Sequence, residues 1–219
     1  MQRRWMMERN DRNNLILLAL YLGVVLWSAW KPYGRLVWLM QSLAALLVVL
    51  VLILTYKRFR FTTFIYIVVL VHMTIILIGA HYTYSRNPLF ELLKTELGLS
   101  RNYYDRVGHF LQGFGPALMA REILIRGNHV KRGRMLTFIV VTMCLGMSAF
   151  YELLELGTSY LLGLPVEVVM GMQGLSWDSQ WDMLMALIGS IVALALFSRI
   201  HDRSLKSNSV YRKSEHKKT

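Results

Sequence analysis

The sequence is short of cysteine, of charge and of acid. Its single cysteine, Cys144, lies inside an apolar run. One cysteine excludes an intramolecular disulfide, so cysteine usage says nothing about compartment. No paired-cysteine zinc spacing, internal repeat or His-Glu-x-x-His helix occurs, which removes the common metallohydrolase and repeat signatures. Charged residues make up only 17% of the 219 positions, against about a quarter in soluble domains. Acids number 13 and bases 25, a net charge of +12. Such a balance suits nucleic acid only when the bases share a soluble face. Here they sit between apolar runs, so no nucleic-acid partner is expected and the charges read as membrane topology.

What the sequence does have is apolar length: 55% of it is hydrophobic, with a mean hydropathy of +0.39. A bilayer core of about 30 Å asks about 20 apolar residues of a helix. Six runs meet or approach that, at about 15–30, 36–56, 62–80, 104–125, 135–161 and 181–197. The expected fold is all-α, a polytopic membrane helical bundle of about six transmembrane helices. Residues 1–14 form an N-terminal tail, 15–198 the membrane domain, and 199–219 a basic, disordered tail. The first run leads into Trp30-Lys31-Pro32 without a small-residue cleavage site, and reads as an uncleaved span.

Lysine and arginine counts orient the bundle. The N-terminal tail carries four, the second-to-third loop three, the fourth-to-fifth loop five and the C-terminal tail seven. The other loops share the remaining six of the 25. Both termini are therefore expected on the cytoplasmic side. On the outer side, Asn87-Pro88 and Gly98 bracket a short amphipathic helix with Leu89, Phe90, Leu92, Leu93 and Leu97 on one side. Residues 162–176, with Gly163, Pro165, Gly171 and Gly174, read as a broken apolar connection, either a flap dipping into the outer leaflet or an ordinary loop.

The chemistry-bearing residues converge. Asp105, His109, Gln112 and Pro116 share one face of the fourth span, with His109 about 6 Å below Asp105. Glu152 and Glu155 are one turn apart near the outer end of the fifth span. Asp178 precedes the sixth, Asp182 lies one turn in, and His81 ends the third. Helices of alternating direction thus place acids and histidines in one layer near the outer surface, with Arg101 and Arg106 at its rim. Five carboxylates in a low dielectric need protons, arginines or a metal ion. Asp105, His109, Glu152, Glu155 and Asp182 are the acid–base candidates. His109, Glu152, Glu155, Asp178 and Asp182 are the candidate ligands of a divalent cation such as Zn, Mn, Mg or Ca. Simpler roles stay open: Asp105 and Asp178 as helix caps, and His109 as an interhelical hydrogen-bond partner. Gly113, Gly115 and Pro116 read as packing or kink positions, and Glu122 as an inner-surface ion pair with its arginine neighbours.

The stretch Asp105-Arg-Val-Gly-His-Phe-Leu-Gln-Gly-Phe-Gly-Pro-Ala, with Glu152-Leu-Leu-Glu155 and Trp177-Asp-Ser-Gln-Trp-Asp-Met183, resembles the YjdF-type family of bacterial inner-membrane proteins. That resemblance implies a multi-pass inner-membrane location and no defined activity. Asp105-Arg106-Val107-Gly108-His109-Phe110, Glu152, and Asp182 with Gly189 also resemble VanZ-like membrane proteins more distantly, although Ala186 stands where those have asparagine. This second likeness brings the cell envelope into view. Three functions remain open: a metal-assisted or acid–base site acting on a lipid or envelope precursor, a cation or small-molecule binding or transport protein, and a scaffold whose polar layer is structural.

Overall fold

The computed structural model describes residues 2–163 and 177–207. Within them the chain is helical: α1 (Gln2–Ala29), α2 (Arg35–Thr55), α3 (Thr63–Tyr82), α4 (Pro88–Leu97), α5 (Tyr104–Arg126), α6 (Arg134–Leu162) and α7 (Asp178–Ser207). Five of these seven, all but α4 and α5, are long and apolar enough to cross a membrane. α5 is the fourth span expected from sequence. Its 23 residues are enough in length, but Asp105, Arg106, Arg121, Glu122 and Arg126 make it too polar to count by composition.

Interhelical contacts fix the directions. Ser28 at the end of α1 donates to the Leu77 carbonyl near the end of α3 (2.6 Å) and accepts from Trp38 at the start of α2 (2.9 Å). Tyr56, just past α2, donates to Asp11 of α1 (2.7 Å). The Tyr104 hydroxyl at the start of α5 donates to the Ile75 carbonyl of α3 (2.7 Å), and Thr62 before α3 bonds Glu122 at the far end of α5. α5 and α7 run parallel, joined by charged contacts at both ends. The starts of α1 and α3 and the ends of α2, α5 and α7 therefore share one face, and α5 spans the same depth as α7. A helix as polar as α5 does so because α3, α6 and α7 enclose it.

The tightest seam joins α5 to α7. A Cβ built on Gly113 would come 1.8 Å from the Ala186 carbonyl oxygen, and one on Gly189 would come 2.0 Å from that of Phe110. Only glycine lets the backbones approach this closely, the usual device where apolar side chains gain nothing from leaving lipid.

The amphipathic helix α4 starts and stops where the sequence places it. Asn87 accepts from the Phe90 amide (3.3 Å), and Gly98 takes the left-handed φ of +62° that ends the helix. Leu89, Leu92 and Leu97 project outward from it. Asn102 ties α4 back to the head of α5 through the Asn87 carbonyl and Glu91. Its Lys94 neighbour, and then Asn102, hold the Glu91 carboxyl below the ordinary range.

The tail differs from expectation. Helix α7 continues through Ser207, because His201 and Leu205 are wholly buried against the bundle. The rest of the expected tail, 208–219, and the expected flap, 164–176, lie outside the described residues.

Candidate polar site at the head of the fifth and last helices

Three segments build the site. The loop before α5 supplies Arg101, the first turns of α5 supply Asp105, Arg106 and His109, and the start of α7 supplies Asp178 and Asp182. α6 adds Glu152 and Glu155 from the side. The parallel seam between α5 and α7 sets these groups at one depth.

His109 is the centre. Its Nε2 lies 3.5 Å from Asp105 Oδ1 and 3.5 Å from Asp182 Oδ1, and its Nδ1 lies 3.8 Å from Glu152 Oε1. Gln112 Oε1 accepts from Nδ1 at 2.8 Å. That bond makes Nδ1 a donor and leaves Nε2 facing the two aspartates. Asp105, His109 and Asp182 each offer one ligand atom within 4.8 Å of the others, and all three are buried. Asp105 does not cap α5: the cap position is Tyr103, and Asn102 Oδ1 accepts from the Tyr104 amide.

The arginines are deeper than a rim. Arg101 and Asp178 are each only 2% exposed, and Arg101 Nη1 meets Asp178 Oδ1 at 2.5 Å. Arg106 pairs with both Asp178 and Asp182, and lies 3.7 Å from Asp105. Asp178 Oδ1 is thus taken by two guanidinium groups, and Asp178 does not join the Asp105–His109–Asp182 group. Three carboxylate oxygens of the cluster are buried without a hydrogen-bond partner, Asp105 Oδ2, Glu152 Oε1 and Asp178 Oδ2.

A cavity of about 260 Å³ opens beside the cluster, between α2, α3, α5 and α6. Asp105, His109 and Glu155 line its polar end, and apolar side chains such as Val48, Met73 and Met147 line the rest. Pro116, also on the wall, has no amide hydrogen, so the Gln112 carbonyl is left without its helical donor. His81 does not join the layer. It stacks on Trp27 at 4.7 Å and bonds the Ser28 carbonyl, on the α1 side of α3.

A family model described as predicted membrane protein (DUF2238) matches residues 13–203. The chain belongs to this family. The inner membrane protein YjdF of Escherichia coli (strain K12) is 38% identical over 192 residues, covering 88% of this chain and 89% of that protein. No solved structure matches. The YjdF-type resemblance read from the sequence is therefore borne out, and with it a multi-pass inner-membrane protein.

This family member carries a second buried polar cluster that sequence reading missed. Glu122, fully buried, accepts from the Thr62 amide and hydroxyl (2.9 and 2.8 Å) and from Arg126 (2.8 Å), and contacts His201 Nε2 (3.0 Å). Arg121 spans His201 Nδ1 (3.1 Å) and Asp202 (2.9 Å). Glu122 was expected in an inner-surface ion pair with its arginine neighbours; the pair with Arg126 is present, but its carboxyl is wholly buried. The available signal was His201, two residues after Arg199 in a stretch otherwise read as tail.

Proposed function

We propose that the cluster at the head of α5 and α7 is a divalent-cation site, held by Asp105, His109 and Asp182, that does acid–base work on a lipid or envelope component. The observation that carries this is the spacing around His109. Both 3.5 Å separations from Nε2 to the aspartate oxygens are too long for good hydrogen bonds. They match the edge of a tetrahedron around zinc, where bonds of about 2.0–2.2 Å put neighbouring ligand atoms about 3.4 Å apart. Charge counting supports it. Asp105, Glu152, Glu155, Asp178 and Asp182 face the guanidinium groups of Arg101 and Arg106, an excess of three negative charges. A divalent cation removes two, and a proton on Glu155 at the cavity wall removes the third and serves as a general acid. Arg106 would hold Asp182 in place as an outer-sphere partner of the ion. The cavity suits an amphiphile with its polar part at the acids, and the distant VanZ-like resemblance brings the cell envelope, not a defined reaction, into view. Transport fits less well, because wholly buried Ile65, Ala117 and Leu118 fill the bundle between His72 and the Glu122 cluster.

A structural polar layer is the competing reading, favoured by the arginine pairs. The test is metal content and thermal stability of purified protein in detergent after loading with Zn, Mn, Mg or Ca. One ion per chain is expected. His109→Ala and Asp105→Asn should each weaken its binding by more than 100-fold, beyond the 10–100-fold of an outer-shell change. A wild type free of all four metals, with Glu152→Gln more stable than wild type, would leave the structural reading in place.

The reading also needs the cluster on the outer side of the inner membrane, with both termini cytoplasmic. The basic-residue bias supports that orientation. In intact cells an impermeant thiol reagent should label Glu96→Cys on α4 and spare Ser207→Cys. Native Cys144, 1% exposed, gives no background. Labelling of Ser207→Cys alone would invert the protein.

A further inference from the structure

The opposite, basic face holds a cavity that the proposed site does not use. It is the larger one, about 760 Å³, between α1, α2 and α3. Leu18, Leu52 and Val69 give it one apolar wall from each helix, and Lys57, Arg58 and Arg60 of the α2–α3 loop stand at its mouth. Two polar bridges frame it. At its deep end the Tyr21 hydroxyl crosses to the Ala45 carbonyl (3.0 Å). At its mouth Tyr56 donates to Asp11 (2.7 Å) and accepts from Asn14 (3.1 Å). α3 packs on both α1 and α2, and these bridges hold the outer two apart as a framed cleft. Leu15 and Ile53, both exposed, flank it, so it opens sideways into the hydrocarbon layer.

The charges at the mouth are unequal. Asp11 is engaged by Arg60 at 2.9 Å. Lys57 and Arg58 are exposed and have no ion-pair partner among the described residues. The cleft therefore combines an apolar slot at membrane depth with two uncompensated positive charges at headgroup level. We infer that this cleft binds one anionic glycerophospholipid, an acyl chain lying between α1 and α2 and the headgroup phosphate on Lys57 and Arg58. A zwitterionic lipid would fill the slot equally well but bring no net charge to the mouth, so the site selects by headgroup. The inference is independent of the proposed cation site.

The test is native mass spectrometry of the full chain in detergent, titrated with phosphatidylglycerol or phosphatidylcholine. One phosphatidylglycerol per chain is expected to persist at concentrations where phosphatidylcholine does not. Lys57→Gln/Arg58→Gln should weaken it about thirty-fold, the equivalent of about 1 kcal/mol for each basic residue near the surface. Leu18→Trp, which fills the slot without changing charge, should weaken it severalfold. Lys131→Gln/Arg134→Gln, two exposed charges on the same face outside the cleft, should leave it within threefold or so of wild type. Equal losses in the two double variants would reduce the effect to diffuse surface charge and overturn the site. So would unchanged binding in Leu18→Trp, or a dimer in place of the lipid adduct, which would make a second copy the occupant.

Discussion

Gly113→Val is expected to prevent the chain from accumulating as a folded protein. An ordinary overpacked core costs about 1–3 kcal/mol, because flexible side chains give way. Here the obstacle is the Ala186 backbone carbonyl, 1.8 Å from where the first added carbon would sit. A helix backbone cannot move locally, so α5 and α7 must part along their length. Parting them strips the charged contacts at the heads of both helices, since Arg106 stands seven residues before Gly113 and Asp182 seven before Gly189. The readout is the monodisperse fraction on fluorescence-detected size exclusion. Gly189→Ala should show a milder form of the same defect. Gly146→Val and Gly157→Val, where nothing lies within 4 Å of the added carbon, should behave like wild type. A normal Gly113→Val profile would mean that the α5–α7 seam is not as close as described.

Arg106→Gln should cost about 3–5 kcal/mol, the usual penalty for stripping one partner from a buried ion pair. Arg106 is 8% exposed and serves two aspartates. Removing its charge leaves Asp182 facing Asp105 across His109, with water excluded. The second substitution decides the cause. Arg106→Gln/Asp182→Asn removes the orphaned charge as well and should regain more than half of the loss. Arg106→Gln/Asp202→Asn, which alters a carboxylate at the other end of α7, should regain nothing. Thermal denaturation in detergent measures all three. A loss below about 1 kcal/mol in the single variant would make Arg106 a surface residue in energetic terms.

Much of the bundle was legible because apolar length and basic-residue bias are local signals. α4 was legible down to its ends, since Asn87-Pro88 and Gly98 act through their own backbone geometry. The convergence of Asp105, His109 and Asp182 was legible from helical spacing and alternating direction, and the three lie together. The depth of the arginines was not. An arginine at the start of an apolar helix reads as a group reaching for water, and only its partner, 77 positions away for Arg101 and Asp178, shows that it turns inward. His81 misled for the reverse reason. Its depth was right, but the side of α3 it occupies depends on Trp27 and Ser28, which no pattern within α3 reveals. The helical continuation to Ser207 was hidden because Arg199, Arg203 and Lys206 dominate a stretch whose buried residues, His201 and Leu205, are only two.

The charges at both ends of α5 bear on how the chain is made. A charged residue at the centre of a lone helix costs about 2.5–3.5 kcal/mol on insertion, and five ionised groups weigh heavily even near the ends. Their interhelical partners, Asp178 and Asp182 at one end and His201 and Asp202 at the other, belong to α7. Those residues leave the ribosome after α6 is complete. For some 50 residues beyond its own last turn, α5 has only its internal pairs, Arg106 beside Asp105 and Arg126 on Glu122, and Arg101 of the loop before it. Its stable place in the bilayer is thus decided by a helix synthesised well after it, and the two enter their final positions as a pair.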